Sequence, residues 1–215
     1  MGKSAIVIGA TGLVGSVLTN QLAEAAHISR VLTLTRRPWV HGSAKVQNHV
    51  VDFEHLEDHV DLFKADLLFS CLGTTRKQAG SIAAQRKVDL DYQYRAAKLA
   101  VDKGVKHYML VSSSGADTNS GSPYLKMKGE LEDQVMTLPF QQISILQPSL
   151  LLGHRQDSRI GETLGSLILP GLCRLPGLRR FRPISGEQVA ARMVLLSRQA
   201  GPTLQRFCLD EIFIE

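Results

Sequence analysis

Cysteine is scarce in this sequence: Cys71, Cys173 and Cys208 are the only three in 215 residues, with no CxxC spacing among them. Neither a disulfide framework nor a zinc site can be built from such a set, which suits a reducing compartment. Aromatic residues make up 6% of the chain and tryptophan occurs once. Lysine and arginine outnumber the acids 25 to 20, a net charge of +5, yet they form no basic block. That argues against nucleic acid as a primary partner and leaves the surplus to an anionic small ligand. Long hydrophobic runs are missing too. The apolar stretch 164–178 is broken by Pro170, Arg174 and Pro176, so no membrane insertion is expected. No signal segment precedes the first strand pattern, and the expectation is a soluble cytoplasmic protein. Internal repeats and low-complexity tracts are absent.

What is present is organised around residues 4–15. Residues 5–8 form an apolar run of strand length, followed by Gly9, Gly12 and Gly15 at a three-residue period. Behind them Leu13, Val14, Val17, Leu18 and Leu22 recur at helical spacing. Strand, glycine turn and helix in this order build a phosphate site. Gly9 ends the strand tightly, Gly12 admits a pyrophosphate to the backbone, and Gly15 lets helix and strand pack closely. The helix N-terminus then points N–H groups and partial positive charge at the anion. Thr11, Leu13 and Val14 belong to the same cradle. A turn that merely connects two elements would not need all three glycines between so clean a strand and helix.

Strand patterns at residues 30–35, 46–51, 66–70, 105–111 and 143–146 alternate with helical ones, the longest at 81–103. The alternation predicts an α/β Rossmann-like, doubly wound, mostly parallel sheet of six to seven strands with helices on both faces. At this length one domain, residues 1–215, is expected. From residue 150 the regular pattern stops, which marks 150–184 as a small cap on the substrate side. Ser185 to Gln188 open a last helix in capping-box fashion, and residues 207–209 add an edge strand.

The second strand ends in Arg36-Arg37-Pro38, where NAD-preferring folds carry an acid for the ribose 2′-hydroxyl. A guanidinium instead grips a 2′-phosphate, so Arg36 and Arg37 favour NADP(H) over NAD(H). Asp52, at the end of the third strand, either accepts a hydrogen bond from the adenine amino group or caps the next helix. His55 and His59 share a helix face but lack the H-E-x-x-H order, so they read as a solvated face and no metal is expected. Leu72, Gly73 and Thr74 end the fourth strand opposite the first glycine turn, where they line the cofactor. Cys71 beside them has no companion histidine and reads as a strand residue.

Tyr124 and Lys128, four residues apart at a helix start, share one face. An ammonium beside a phenol favours phenolate, and a serine hydroxyl from the neighbouring strand end can hold a carbonyl oxygen against it. Beside a nicotinamide this is a carbonyl-reduction site, with Tyr124 as acid/base, Lys128 tuning it and bonding the ribose, and Ser113 positioning the oxygen. Strand alternation puts Ser112 and Ser114 on one face and Ser113 on the other, which leaves the active serine open. A second Tyr-x-x-x-Lys, Tyr94 and Lys98, lies mid-helix with no serine-ended strand feeding it; it reads as a packing tyrosine and a solvated lysine.

Gly9-x-x-Gly12-x-x-Gly15, the strand-end serines and Tyr124-x-x-x-Lys128 resemble the atypical and extended short-chain dehydrogenase/reductases. Cys71-Leu-Gly-Thr-Thr-Arg76, Ser112-Ser-Ser-Gly-Ala-Asp117, Tyr124-Leu-Lys-Met-Lys-Gly129 and His154-Arg-Gln-Asp-Ser158 are similar to the Tat-interacting oxidoreductase-like group and its bacterial relatives. The resemblance implies a Rossmann fold, NADP(H), Ser113 as the active serine, and Pro148 and Leu150 near the nicotinamide amide. It departs from the group in the extra Ser114 and in lacking the extended-type substrate domain. The expected function is NADP(H)-dependent hydride transfer to or from a small carbonyl or hydroxyl substrate, by a monomer or homodimer. An NADP(H)-binding regulatory or redox-sensing protein is the alternative, to which a tuned phenol would be of no use.

Overall fold

The computed structural model describes residues 2–152 and 182–214. Strands β1 (Lys3–Ile8), β2 (Ile28–Thr35), β3 (Val46–Val50), β4 (Leu67–Ser70), β5 (His107–Val111), β6 (Gln142–Gln147) and an edge strand at Leu204–Cys208 form one seven-stranded sheet. In the chain, β7 (Leu151–Leu152) and β8 (Ile184–Ser185) come between β6 and that edge strand and pair in parallel as a separate two-stranded sheet, which makes the edge strand β9. The spatial order is β3-β2-β1-β4-β5-β6-β9 and every pairing is parallel. This is the doubly wound Rossmann-like arrangement, with its order reversing between β1 and β4.

Strands buried on both faces read as apolar runs, and alternate residues feed opposite layers. Ala5, Val7, Val31 and Phe69 pack with Leu18 and Leu22 of α1 (Leu13–Glu24). Ile6, Ile8, Leu32 and Leu68 pack instead on the opposite face of the sheet, covered by the helices between β4 and β6. Helices α2 (Arg76–Ala79) and α3 (Ile82–Arg86) run into a widened turn at Lys87–Asp91, then α4 (Tyr92–Asp102) and α5 (Pro123–Met136). From these, Ala96, Ala97, Ala100, Leu131 and Val135 complete the second core. The last helix, α6 (Gly186–Arg198), returns to the first face and carries the expected reciprocal cap between Ser185 and Gln188.

Three elements differ from the sequence reading. The helix expected over 81–103 is present but widens by one π turn at Lys87–Asp91, where Asp89 turns inward and the Gln93 amide donates to the Asp89 carbonyl at 2.9 Å. The segment Phe53–Phe63 is a set of tight turns, not a regular helix. His55 (φ −127°, ψ 46°) and His59 (φ −115°, ψ 24°) sit at its breaks and share no helix face. The edge strand lies at 204–208, not 207–209, since its pairing with β6 begins at Ile143 and Leu204. The second Tyr-x-x-x-Lys pair behaves as expected: Tyr94 packs on the core and exposed Lys98 lies 3.8 Å from Asp102. Most of the expected cap, residues 153–181, lies outside the described residues, as does Cys173. Among the described residues no helix is long and apolar enough to cross a membrane.

His107, buried at the start of β5, lies with Nε2 2.9 Å from Ser144 Oγ. Burial, and then the charge of Lys3, lower its pKa from 6.5 to about 4. Between those values the unfolded chain binds the proton and the folded one does not, so stability falls as pH drops. Roughly 2 kcal/mol should be lost between about pH 7 and about pH 5 on this account. Urea midpoints for the wild type and His107→Gln check it; the variant should show a flatter slope, and parallel slopes would refute the assignment.

Candidate cofactor and catalytic site

Because all seven strands are parallel, their carboxyl ends gather the expected site on one edge. There Gly9 has φ +83°, and a Cβ on it would meet the Cys71 carbonyl carbon at 2.5 Å. A Cβ on Gly15 would run into the Gly9 carbonyl oxygen, so the opening of α1 is held directly against the turn. The Gly12 N–H donates to the Gly9 oxygen at 2.9 Å, and no side chain caps the helix that Gly12 begins. Exposed Thr11 and half-buried Leu13 border this cradle, while Val14 is buried in the core. A glycine cradle at an uncapped helix end fits the pyrophosphate of a dinucleotide.

Arg36 and Arg37 lie exposed just past β2, and among the described residues no carboxylate pairs with either. Asp52 follows β3, exposed, and its side chain accepts from the Glu54 N–H at 2.9 Å. Of its two expected roles, the cap is the one this geometry makes. Leu72, Gly73 and Thr74 follow β4. Burial pushes the Cys71 thiol up to about 12 despite the nearby Lys128 charge. It stays protonated near neutral pH and is no thiolate nucleophile.

Tyr124 and Lys128 lie one turn apart on α5, the ammonium 5.9 Å from the phenol ring centroid. Lys126 points outward and is exposed. The loop after β5 folds onto the same helix: the Asp117 N–H donates to the Leu125 carbonyl at 3.2 Å. Gly129 admits Asp117 and Thr118 so closely that a Cβ there would stand 2.5 Å from their backbone. The serine run thus reaches the helix carrying the phenol. Ser112 is buried and its hydroxyl donates to Glu132, whereas Ser113 is half-buried and makes only a 3.4 Å contact to the Ser114 carbonyl. Ser112 is therefore committed to Glu132, which leaves Ser113 and Ser114 of the three. Pro148 and Leu150 follow β6, with the Pro148 carbonyl accepting from the Ser114 N–H at 3.0 Å.

Sequence reasoning missed Asp89. Its side chain is wholly buried, as is that of Lys128 to within 2%, and Lys128 Nζ lies 3.2 Å from Asp89 Oδ1. This is a charge contact rather than an aligned hydrogen bond. Oδ2 accepts from the Thr74 N–H at 3.0 Å, while the Gln85 amide donates to the Thr74 carbonyl at 3.2 Å. Asp89 thereby joins the loop after β4 to the lysine of α5. Among the described residues no group of His, Cys, Asp and Glu is arranged to hold a metal ion.

Comparisons with known proteins bear on the family and the fold. The NAD dependent epimerase/dehydratase family model matches residues 5–139. Protein HTATIP2 of Rattus norvegicus is 41% identical over 166 residues, 75% of this chain and 68% of that protein. A protein of Debaryomyces hansenii named FMP52, mitochondrial, is 36% identical over 222 residues, 97% of this chain and 96% of its own. Among solved structures, MoeE5 in complex with UDP-glucuronic acid and NAD superposes with TM-score 0.73 at 18% identity, covering 96% of this chain and 76% of that one. A short-chain dehydrogenase/reductase superfamily protein from Agrobacterium tumefaciens with bound NAD does so with TM-score 0.73 at 15% identity, covering 96% and 77%. The fungal relatives correct one expectation. They are named mitochondrial, so the cytoplasmic location is not supported; a strand that opens near the N-terminus speaks to fold and not to compartment. With the family model spanning the glycine cradle, the serine run and the Tyr124/Lys128 helix, the chain belongs to the NAD-dependent epimerase/dehydratase family.

Proposed function

We propose that this chain is an NADP(H)-dependent oxidoreductase of short-chain dehydrogenase/reductase type, acting on a small carbonyl or hydroxyl substrate. The observation that carries the reading is the Tyr124/Lys128 pair, standing on α5 beside the serine run at the carboxyl edge of the sheet. Gly9, Gly12, Gly15 and the opening of α1 hold the pyrophosphate, and Leu72, Gly73 and Thr74 border the ribose and nicotinamide side. When bound, the nicotinamide supplies or accepts the hydride. Ser113 donates a hydrogen bond to the substrate oxygen, and Tyr124 gives its proton to that oxygen in the reducing direction. Lys128 stabilises the phenolate left behind, and the reverse reaction uses that phenolate as the base.

The solved neighbours hold NAD; the ground for NADP(H) here is exposed Arg36 and Arg37, with no acid at the strand end. One charge-assisted hydrogen bond to a 2′-phosphate is worth about 1.5–3 kcal/mol, so losing even one costs roughly 10- to 100-fold in affinity. Arg36→Ala with Arg37→Ala should weaken NADPH by that factor and leave NADH unchanged in side-by-side titration. Equal losses for both cofactors would remove the 2′-phosphate assignment. A carbonyl panel screened with the better cofactor then tests turnover itself, and cofactor binding without any turnover would favour a sensing role.

A further inference from the structure

Tyr124, Lys128 and Glu132 follow one another at four-residue intervals along α5, so phenol, ammonium and carboxylate form a single stripe. The carboxylate is 3% exposed, and the functional reading above leaves it without a role. Its Oε1 accepts from the Ser112 hydroxyl, the residue before Ser113. The Gln147 amide, on the residue before Pro148, donates to both of its oxygens at 2.9 Å. Behind it, Arg206 of β9 brings a guanidinium nitrogen to 3.7 Å, and the Cys208 thiol lies 2.9 Å from Gln147 Oε1. One carboxylate therefore ties together the helix carrying Tyr124 and Lys128, the end of β5 and the end of β6.

We propose that Glu132 is a positioning residue, fixing the β5 and β6 ends against α5 so that the nicotinamide half of the cofactor is held in register with Tyr124. This rests on the proposed dinucleotide function. The dinucleotide crosses the sheet where strand order reverses, its adenosine over β1 and β2 beside Arg36 and its other half over β4 to β6. Glu132 serves only the second half. A neutral amide in its place keeps one acceptor but turns an N–H₂ toward the N–H₂ of Gln147, so the clamp loses a donor–acceptor match without losing volume. Exchanging the two side chains restores the match with the charge on the other partner.

Calorimetric titration with NADPH and with adenosine 2′,5′-bisphosphate, which lacks the nicotinamide half, tests this on the whole chain. Glu132→Gln should weaken NADPH about tenfold and leave the bisphosphate within about twofold. The double variant Glu132→Gln with Gln147→Glu should recover most of the NADPH affinity. Parallel losses for both ligands would mean that Glu132 merely supports the fold, and unchanged NADPH affinity in the single variant would likewise overturn the proposal. Failure of the wild-type protein to bind either ligand would instead refute the dinucleotide reading, and this proposal with it.

Discussion

Tyr124→Phe is expected to lower turnover by about 10²- to 10⁴-fold, the range of a lost general acid/base. The substitution keeps the ring over which the Lys128 ammonium lies, so packing on α5 survives and only the hydroxyl is removed. NADPH affinity should stay within about twofold, because the cradle at Gly9–Gly15 and the arginines past β2 are untouched. Two described side chains near it cannot replace the phenol. The Cys71 thiol, pushed up to about 12, stays protonated near neutral pH, and the Ser112 hydroxyl is committed to Glu132. Steady-state kinetics on a carbonyl substrate identified by screening, paired with cofactor titration, reads both quantities. Unchanged turnover with retained cofactor binding would defeat the catalytic assignment.

The strands and the first cradle are legible because a parallel, doubly buried sheet demands apolar runs, and residues 5–8 or 31–34 admit no other reading. Gly15 was equally legible, since only a missing Cβ allows α1 to touch the Gly9 carbonyl. Asp89 was not. An acid amid Lys87-Val-Asp-Leu-Asp91 looks solvated, and only tertiary contacts with Thr74 and Lys128 draw it inward and widen the helix there. The helical break at Phe53–Phe63 is similar, having no glycine or proline inside it to announce it. Edge strand β9 was misplaced because its burial alternates with Gln205 and Arg206 in the pattern, and pairing with β6 overrides their polarity. Glu132 stood at a spacing that continued the Tyr124/Lys128 stripe, a signal available before the fold. That Ser112 is engaged needed that glutamate's position in space.

Asp89→Ala is expected to cost about 3–5 kcal/mol of stability, the range for removing one partner of a buried ion pair. The loss has two parts. Lys128, almost wholly buried, would keep its ammonium with no counter-charge, and the Thr74 N–H would lose its acceptor. Asp89→Asn separates them, since the amide oxygen can still accept from Thr74 while the charge is gone. The Asn variant should therefore fall between wild type and Ala. Lys128→Met alone strands the carboxylate in the same way and should be comparably destabilising. Combining Asp89→Ala with Lys128→Met removes both charges together, so the double variant should be clearly more stable than the sum of the singles predicts. Urea unfolding of the four proteins closes the cycle. Additive losses would mean that the two side chains act independently, and that Lys128 owes its buried position to the packing of α5 rather than to the acid beneath it.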